Sequence, residues 1–480
     1  ITNELNRREL GVALLAHPVM AVRRDLDGDL IEVANEAGPR ARRESLMHIE
    51  IDRQTDADGG DPGTLDALAA ALTRVLAEVR MAVEDWRPMR QACLDAVDDL
   101  APGRAEDFDE LTHFLQWLEA NHFTFLGHRR YRYLDDAEAA GGLRYEVMPG
   151  SALGILRRDE ARLFDEGVGG GEAMGRFARG PGRLLIVKTD RRALVHRDGA
   201  MDCVIVKTYD SDGRATGEHR FAGLFTSTAY HAMAADVPLL RRRVARVIAR
   251  AGFDPNGHDG KTLGAILDSY PRDELFQIDD ETLFDHAVGI LQLLERQRVA
   301  LFARRDPVGR FASCLVFAPR ERFDAALSER FAAILQAAWG GDVLSVTGSG
   351  STNSALVQAL YVLRLRAPDA PTPDLAALEG MQQAAPAHQQ VARDDQRQPE
   401  RAQRRDLFPQ HEDGEREREN DVGLARGPRE VCADRLVRPV VAIAAPQEVQ
   451  TASHRQPENL GPCEREKRPP LAEDRHEQRK

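Results

Sequence analysis

Two stretches of this chain, 281 positions apart, spell the same small hairpin. LLAHPVMAVRRDLDGDLIEV carries Arg23-Arg24-Asp25 and Gly28, and QRVALFARRDPVGRFASCLVF carries Arg304-Arg305-Asp306 and Gly309. Each is an apolar run, a polar turn closed by glycine, and a second apolar run. Each follows a helix-like segment, NELNRREL in one case and ILQLLERQ in the other. A repeated helix–strand–turn–strand unit points to several small α+β modules in series, not to one large catalytic domain.

Bulk properties set wide bounds. A chain of 480 residues has room for two to four domains. Its net charge of −13 argues against a general nucleic-acid binder, which needs a basic face. The five cysteines, Cys93, Cys203, Cys314, Cys432 and Cys463, are scattered without a C-x-x-C pair. That pattern predicts free thiols in a reducing compartment and no zinc site. No stretch approaches a membrane span and no signal peptide opens the chain, so a cytoplasmic location and no membrane partner are expected. The first residue is Ile1, which reads as an incomplete N-terminus.

The pattern along the chain predicts the elements. SLMHIEID (Ser45–Asp52) alternates as a strand, and a helix with Thr64 as N-cap follows, lined by Leu65, Leu68, Leu72, Val75, Leu76 and Val79. A helix over Glu106–Ala120 leads into the aromatic strand HFTFLGHRRYRY. RLLIVKT, DCVIVKTY and HRFAGLFTS read as strands, the last two joined by an SDG turn. Three helices are expected next, on the faces Leu240–Ile248, Leu263–Tyr270 and Leu283–Leu294, then the second hairpin, a helix at Asp324–Ala338 and a strand at Ala355–Leu365. From about Met381 the composition turns to Arg, Gln, Pro, Glu and His. Either this is a disordered tail that cannot bury enough surface to offset its ordering entropy, or it is a GC-rich gene read out of frame.

Familiar catalytic patterns fail on inspection. GVGGGEAMG and GSGSTN lack the third glycine of a dinucleotide loop and read as flexible loops. Gly260-Lys261-Thr262 resembles the end of a phosphate loop, but Pro255 stands where that loop needs glycine; Asp259 capping a helix from Lys261 is the expected reading. His196-Arg197-Asp198 is expected to be a turn before Gly199, and no metal-spaced histidine group is present. The Arg241–Arg243, Arg246 and Arg250 face reads by default as solvated, with an anion or subunit contact as the minority reading. Arg23, Arg24, Arg304 and Arg305 are expected to be exposed at hairpin turns.

Specific strings carry further. HPVMAVRRDLDGDL, ESLMHIEID, FLQWLEANHFTFLGHRRY, PGSALGILR, GEHRFAGLFTSTAY, VPLLRRRVARVIARAGF, HDGKTL, YPRDELFQI and RRDPVGRFASCLVFAPRERFD resemble, in order, the N-terminal half of the large bacterial NAD-specific glutamate dehydrogenases. The resemblance covers about Ile1–Gly380. It implies an α+β fold of serial ACT-like modules, small antiparallel sheets with packed helices, to which the composition beyond Met381 adds a disordered C-terminal tail. The modules divide as 1–101 (partial first module and helical segment), 102–280 (second, with helices), 281–380 (third, truncated) and a disordered or out-of-frame 381–480.

The resemblance also implies a parent reaction, oxidative deamination of L-glutamate to 2-oxoglutarate and ammonia with NAD as hydride acceptor. The catalytic lysine and nucleotide site would lie downstream, so this chain is expected to bind no NAD, to hold no catalytic or metal residue, and to be inactive alone. It would self-associate through its modules and bind an amino-acid effector. Gly28, Gly309, Thr226, Ser227 and Thr228 are the candidate effector-lining positions, although a need for positive φ explains the two glycines equally well. A free-standing amino-acid sensor is the alternative, and an enzyme with an unrecognised site ranks last.

Overall fold

The computed structural model describes residues 1–25, 27–34, 41–52, 63–100, 105–158, 163–164, 170–349, 354–367 and 371–383. These form two units, divided between Trp86 and Arg87.

In the first unit, α1 (Thr2–Arg7) sets Leu5 against Leu68 and Leu72 of α2 (Gly63–Glu84), with Ile49 and Ile51 beside them. β1 (Val12–Ala16) pairs antiparallel with β5 (His48–Ile51). A separate sheet has the order β3 (Leu30–Ala34), β2 (Val19–Arg24), β4 (Arg42–Ser45). The segment SLMHIEID is therefore not one strand. Its Ser45 ends β4 and its HIEI forms β5, so the chain switches sheets at Leu46-Met47. Thr64 lies inside α2 rather than capping it.

The second unit opens with α3 (Trp86–Asp98), which has no counterpart in the sequence reading, and α4 (Ala105–Trp117). The expected 106–120 helix is cut short by a π-helical turn at Leu118–His122. There Asn121 takes φ 67° and turns the chain into β6 (Phe123–Asp135). β7 (Leu143–Val147) and β8 (Leu153–Gly154) follow, then α5 (Gly170–Arg179). The segment expected as a glycine-rich loop therefore starts a helix at Gly170, while 165–169 lie outside the described residues. β9 (Leu184–Ala193), β10 (Gly199–Tyr209) and β11 (Ala215–Phe225) complete an antiparallel central sheet of order β7-β6-β11-β10-β9, with β8 paired to β6. His196–Asp198 forms the β9–β10 turn, as expected.

The helices α6 (Ser227–His231), α7 (Leu240–Ala251), α8 (His258–Ser269), α9 (Arg272–Gln277) and α10 (Asp280–Glu295) come next. α7 ends at Gly252 in the left-handed conformation, φ 69°, where a side chain would be strained. α8 begins at His258 with Gly257 at its N-cap, so Asp259 sits in the first turn and does not cap it.

The third sheet, counted after the three-stranded and the central sheets with the β1–β5 pair left aside, has the order β12 (Ala300–Arg305), β13 (Phe311–Pro319), β15 (Leu356–Leu365), β14 (Gly341–Ser349). α11 (Ala325–Trp339) and α12 (Leu375–Gln383) pack with it. β14 and α12 were not read from sequence, and GSGSTN enters the end of β14, with 350–353 undescribed. Period-2 alternation gives this sheet two apolar faces. Ala300, Leu315, Phe317 and Leu356 join a core that also holds Phe114, Phe221, Leu267 and Leu283. Leu301, Ala303, Cys314, Val316 and Tyr361 pack with Phe331, Leu335, Trp339 and Leu378. Each Leu, Val or Phe among these contributes about 1.5–3 kcal/mol on burial. The fold is thus α+β with small antiparallel sheets and packed helices. The proposed 381–480 tail lies outside the described residues beyond residue 383.

Candidate functional site

Three hairpins share one turn. In each, an aspartate carboxylate accepts backbone N–H groups across a five-residue tip, and a glycine at the fourth position takes positive φ. Asp25 Oδ1 accepts from Asp27 N (3.0 Å) and Asp29 N (2.8 Å), with Gly28 at φ 92°. Asp210 Oδ1 accepts from Asp212 N (3.0 Å) and Arg214 N (2.8 Å), with Gly213 at φ 76°. Asp306 Oδ1 accepts from Arg310 N (2.5 Å) and Phe311 N (2.8 Å), with Gly309 at φ 79°. The D-x-x-G spacing supplies both the acceptor and the φ freedom, so Gly28 and Gly309 are accounted for by backbone geometry. A carboxylate so engaged is also committed to the turn.

Thr226, Ser227 and Thr228 sit at the β11–α6 junction. Thr226 is the N-cap of α6. Its Oγ1 accepts from Ala229 N (3.4 Å) and donates to Asn121 O (3.0 Å). Ser227 O accepts from His231 Nδ1 (2.7 Å), while Thr228 O accepts from Ala232 N. Ser227 and Thr228 are exposed. Gly28 belongs to the first unit, whereas Gly309 and the Thr226–Thr228 loop belong to the second.

What draws the second-unit candidates together is β9. Tyr230, on the helix that Thr226 caps, donates to Asp273 Oδ1 (2.5 Å), and Asp273 Oδ2 bonds Lys188 Nζ on β9 (2.8 Å). Lys188 Nζ also lies 2.7 Å from Asp202 Oδ1 on β10. Burial alone would pull the Lys188 pKa down, but Asp202 and Asp273 outweigh it and hold the ammonium charged. Burial pushes the Asp202 carboxyl up, against the pull of Lys188. Burial works the same way on Asp273, yet Lys188, the Tyr230 hydroxyl and Arg197 keep it below its usual range.

From the other side, the Gly309 turn reaches the same strand. Arg310, only 1% exposed, donates to Asp190 Oδ2 (2.6 Å) and to Lys188 O (2.8 Å), and Arg364 donates to Asp190 O (2.6 Å). β9 is an edge of the central sheet, and these two arginines of the third sheet occupy carbonyls along it. A covered edge cannot recruit a foreign strand. Arg304 is likewise buried, donating to Glu274 Oε2 (2.6 Å), while Ser313 Oγ donates to Glu274 Oε1 (2.7 Å). The expectation that Arg304 is exposed is therefore corrected: its strand lies against α9, and a buried guanidinium needs a carboxylate. Arg305 is half-buried, over the Trp339 ring. Arg23 and Arg24 are exposed, paired with Glu32 and Glu44.

The arginine face of α7 stays partly in solvent, with Arg246 and Arg250 exposed, but its side chains are engaged. Arg241 is forked onto Glu110 (2.9 and 2.8 Å), Arg243 and Arg246 share Asp280, and Arg250 lies over the Phe284 ring. These contacts tie α7 to α4 and α10. A further chain runs inward from half-buried Arg130 and Asp99 (2.7 Å) to buried His219 (2.9 Å) and His128 (3.0 Å). Burial, with His219 and Arg130 alongside, holds His128 down to about 3. A groove of about 570 Å³ is lined by Gly141, Glu172, Gly175, Arg176, Arg179 and Gly180, none of them a candidate residue. Among the described residues no group of His, Cys, Asp or Glu is arranged to hold a metal, and no helix is long and apolar enough to cross a membrane.

Sequence reasoning missed Lys188, Asp190, Asp202, Asp273 and Glu274. The available signal was charge at inward positions of otherwise apolar strands, in LLIVKTD and MDCVIVK, and the adjacent carboxylates of PRDEL.

Residues 1–68 match the model "Glutamate dehydrogenase, ACT1 domain", 237–296 match "Glutamate dehydrogenase, helical motif 1", and 300–386 match "Glutamate dehydrogenase, ACT2 domain". The NAD-specific glutamate dehydrogenase of Halomonas elongata is 40% identical over 344 residues, 69% of this chain and 21% of that protein. That of Pseudomonas aeruginosa is 37% identical over 324 residues, 66% of this chain and 20% of the relative. That of Mycobacterium tuberculosis is 29% identical over 357 residues, 72% and 20% respectively. The chain spans about a fifth of the length of these curated relatives. With two ACT domains flanking a helical motif in the order the fold displays, this chain belongs to the NAD-specific glutamate dehydrogenase family, of which it forms an N-terminal portion.

Proposed function

We propose that this chain is the regulatory and assembly portion of an NAD-dependent glutamate dehydrogenase. The parent reaction is oxidative deamination of L-glutamate to 2-oxoglutarate and ammonia, with NAD accepting the hydride. The observation that carries the reading is the series ACT1, helical motif, ACT2 over a fifth of the relatives' length. In this reading NAD binds elsewhere in the enzyme: the strand-to-helix junction at β11–α6 offers Thr226 and Ser227 where a dinucleotide needs glycines, and α6 has only five residues. No step of the reaction is therefore assigned to them.

In this role the modules associate with other copies and bind an amino acid. The proposed division places an ACT-like module and helical segment in 1–101, a second in 102–280 and a third in 281–380. Gly28, Gly309, Thr226, Ser227 and Thr228 remain the proposed effector-lining positions. Exposed Ser227 and Thr228 offer hydroxyls, while the glycines offer backbone without a side chain in the way. Control then arises because the amino acid binds one packing state more tightly than another.

Thermal unfolding in the presence of each of the twenty L-amino acids, and separately NAD, tests this. At 100 times its dissociation constant a ligand adds about 2.7 kcal/mol. The expected result is a raised midpoint with one or a few amino acids, none with NAD, and a smaller rise in the Ser227→Val/Thr228→Val variant. No response to any amino acid overturns the effector reading, and a response to NAD overturns the division of labour.

A further inference from the structure

The helix α9 is only six residues long, yet its adjacent carboxylates reach two different sheets. Successive side chains on a helix diverge by about 100°, so neighbours cannot serve the same partner. Asp273 bonds Lys188 of β9 and Tyr230 of α6. Glu274 bonds Arg304 of β12 and Ser313 of β13. Gln277 adds a longer contact to Arg304, 3.4 Å. The helix itself is held, since Arg272, Glu274, Leu275 and Phe276 are buried and Arg272 donates to Ala232 O (2.7 Å). A shared apolar core also joins the two sheets. Apolar contact is non-directional and lets surfaces slide, whereas a buried ion pair fixes position, because displacement strands a desolvated charge.

We propose that α9 is a two-sided coupler: the Asp273–Lys188 and Glu274–Arg304 pairs make the central sheet and the third sheet loosen together, so that a change in one is felt in the other. Arg310 and Arg364 run in parallel with it, joining the third sheet to β9 directly. This seam exists whatever the effector is, so loss of the amino-acid reading would leave the coupler standing.

The test is a double-mutant cycle read by hydrogen exchange on the full chain, with Lys188→Gln and Arg304→Gln alone and together. These two side chains bond different carboxylates, and distant independent sites normally combine additively. The expected result is that Lys188→Gln speeds exchange in β12–β13, that Arg304→Gln speeds it in β9–β10, and that the double variant falls short of the product of the single effects by about fivefold or more. Should these variants fold poorly, Tyr230→Phe and Ser313→Ala remove one hydroxyl from each side and are read the same way. If each variant loosens only its own sheet and the effects multiply, the coupler is refuted.

Discussion

The β2–β3 and β12–β13 hairpins carry the same turn and meet opposite fates. In the first, Leu30, Ile31 and Val33 are each more than half exposed, although successive residues point to opposite faces. In the second, every residue of β13 from Phe311 to Ala318 is buried. The arginines follow suit: Arg23 and Arg24 pair with carboxylates at the surface, while Arg304 and Arg310 are desolvated against Glu274 and Asp190. The turn is a local construction, closed by an aspartate and a glycine a few residues apart. Whether it is then buried depends on α9, α10, α11 and β9, which the hairpin does not encode. In the same sheet the β3 edge strand exposes Leu30, Ile31 and Val33, whereas the opposite edge, β4, carries Arg43 and Glu44, charges that discourage strand addition.

Substitutions in matched pairs sharpen this contrast. The largest effect is expected from Arg310→Met, which removes a buried guanidinium from Asp190 Oδ2 and Lys188 O and should cost about 3–5 kcal/mol in urea unfolding. Arg24→Met should leave the midpoint where it is, because its pair with Glu44 is solvated. Equal losses for the two would refute the comparison.

The shared aspartate comes next. Asp306→Ala removes a buried acceptor from Arg310 N and Phe311 N and should cost about 2–3 kcal/mol, while Asp25→Ala, exposed, should cost about 1 kcal/mol or less. Urea midpoints of the two variants decide it. The turn glycine should show no dependence on burial. Gly28→Ala meets no atom within 4 Å, so its expected cost is the left-handed backbone alone, about 1–2 kcal/mol. A Gly28→Ala chain as stable as the parent would mean that the turn relaxes freely.

A further predicted effect is one of pH and belongs to the second unit. His128, at about 3, and His286, at about 4, are held below the ordinary histidine range by burial. The unfolded chain therefore binds more protons than the folded one between those values and about 6.5, so stability falls as pH drops through that window. Asp99, Glu110 and Asp280 are held below their usual values chiefly by bonds to His219 and the arginines, working against burial in each case. They add a further loss below about 4. Urea midpoints measured from pH 7.5 to 5 should decline, and His128→Gln should flatten the decline; a flat parent profile would refute it.

Legibility differed between elements for identifiable reasons. The helices α7, α8 and α10 were read because their apolar stripes repeat at helical spacing, and Gly252 marked an end. The strands β9, β10 and β11 were read from continuous apolar runs. β14, GDVLSVTGS, escaped because its outward residues are small and polar, and α12 because two alanines and a glycine leave it only a weak apolar stripe. The break inside SLMHIEID could not be read, since alternation does not say which sheet a strand joins. Of the proposed site, the turn glycines were visible as a motif. The charged partners near Gly309 were not, because Lys188, Asp202 and the Asp273-Glu274 pair lie on separate segments and look like any other charged residues.

What the sequence determined by itself is the repeat: the D-x-x-G turn and its flanking apolar runs fold through contacts within about ten residues, and the ordered strings carry the family. What only the tertiary structure decided is the use of charge. An arginine at a hairpin tip becomes either a surface residue or a buried tie according to whether a carboxylate from a distant element meets it. Desolvation makes that choice energetically large, and only the assembled core establishes who is desolvated.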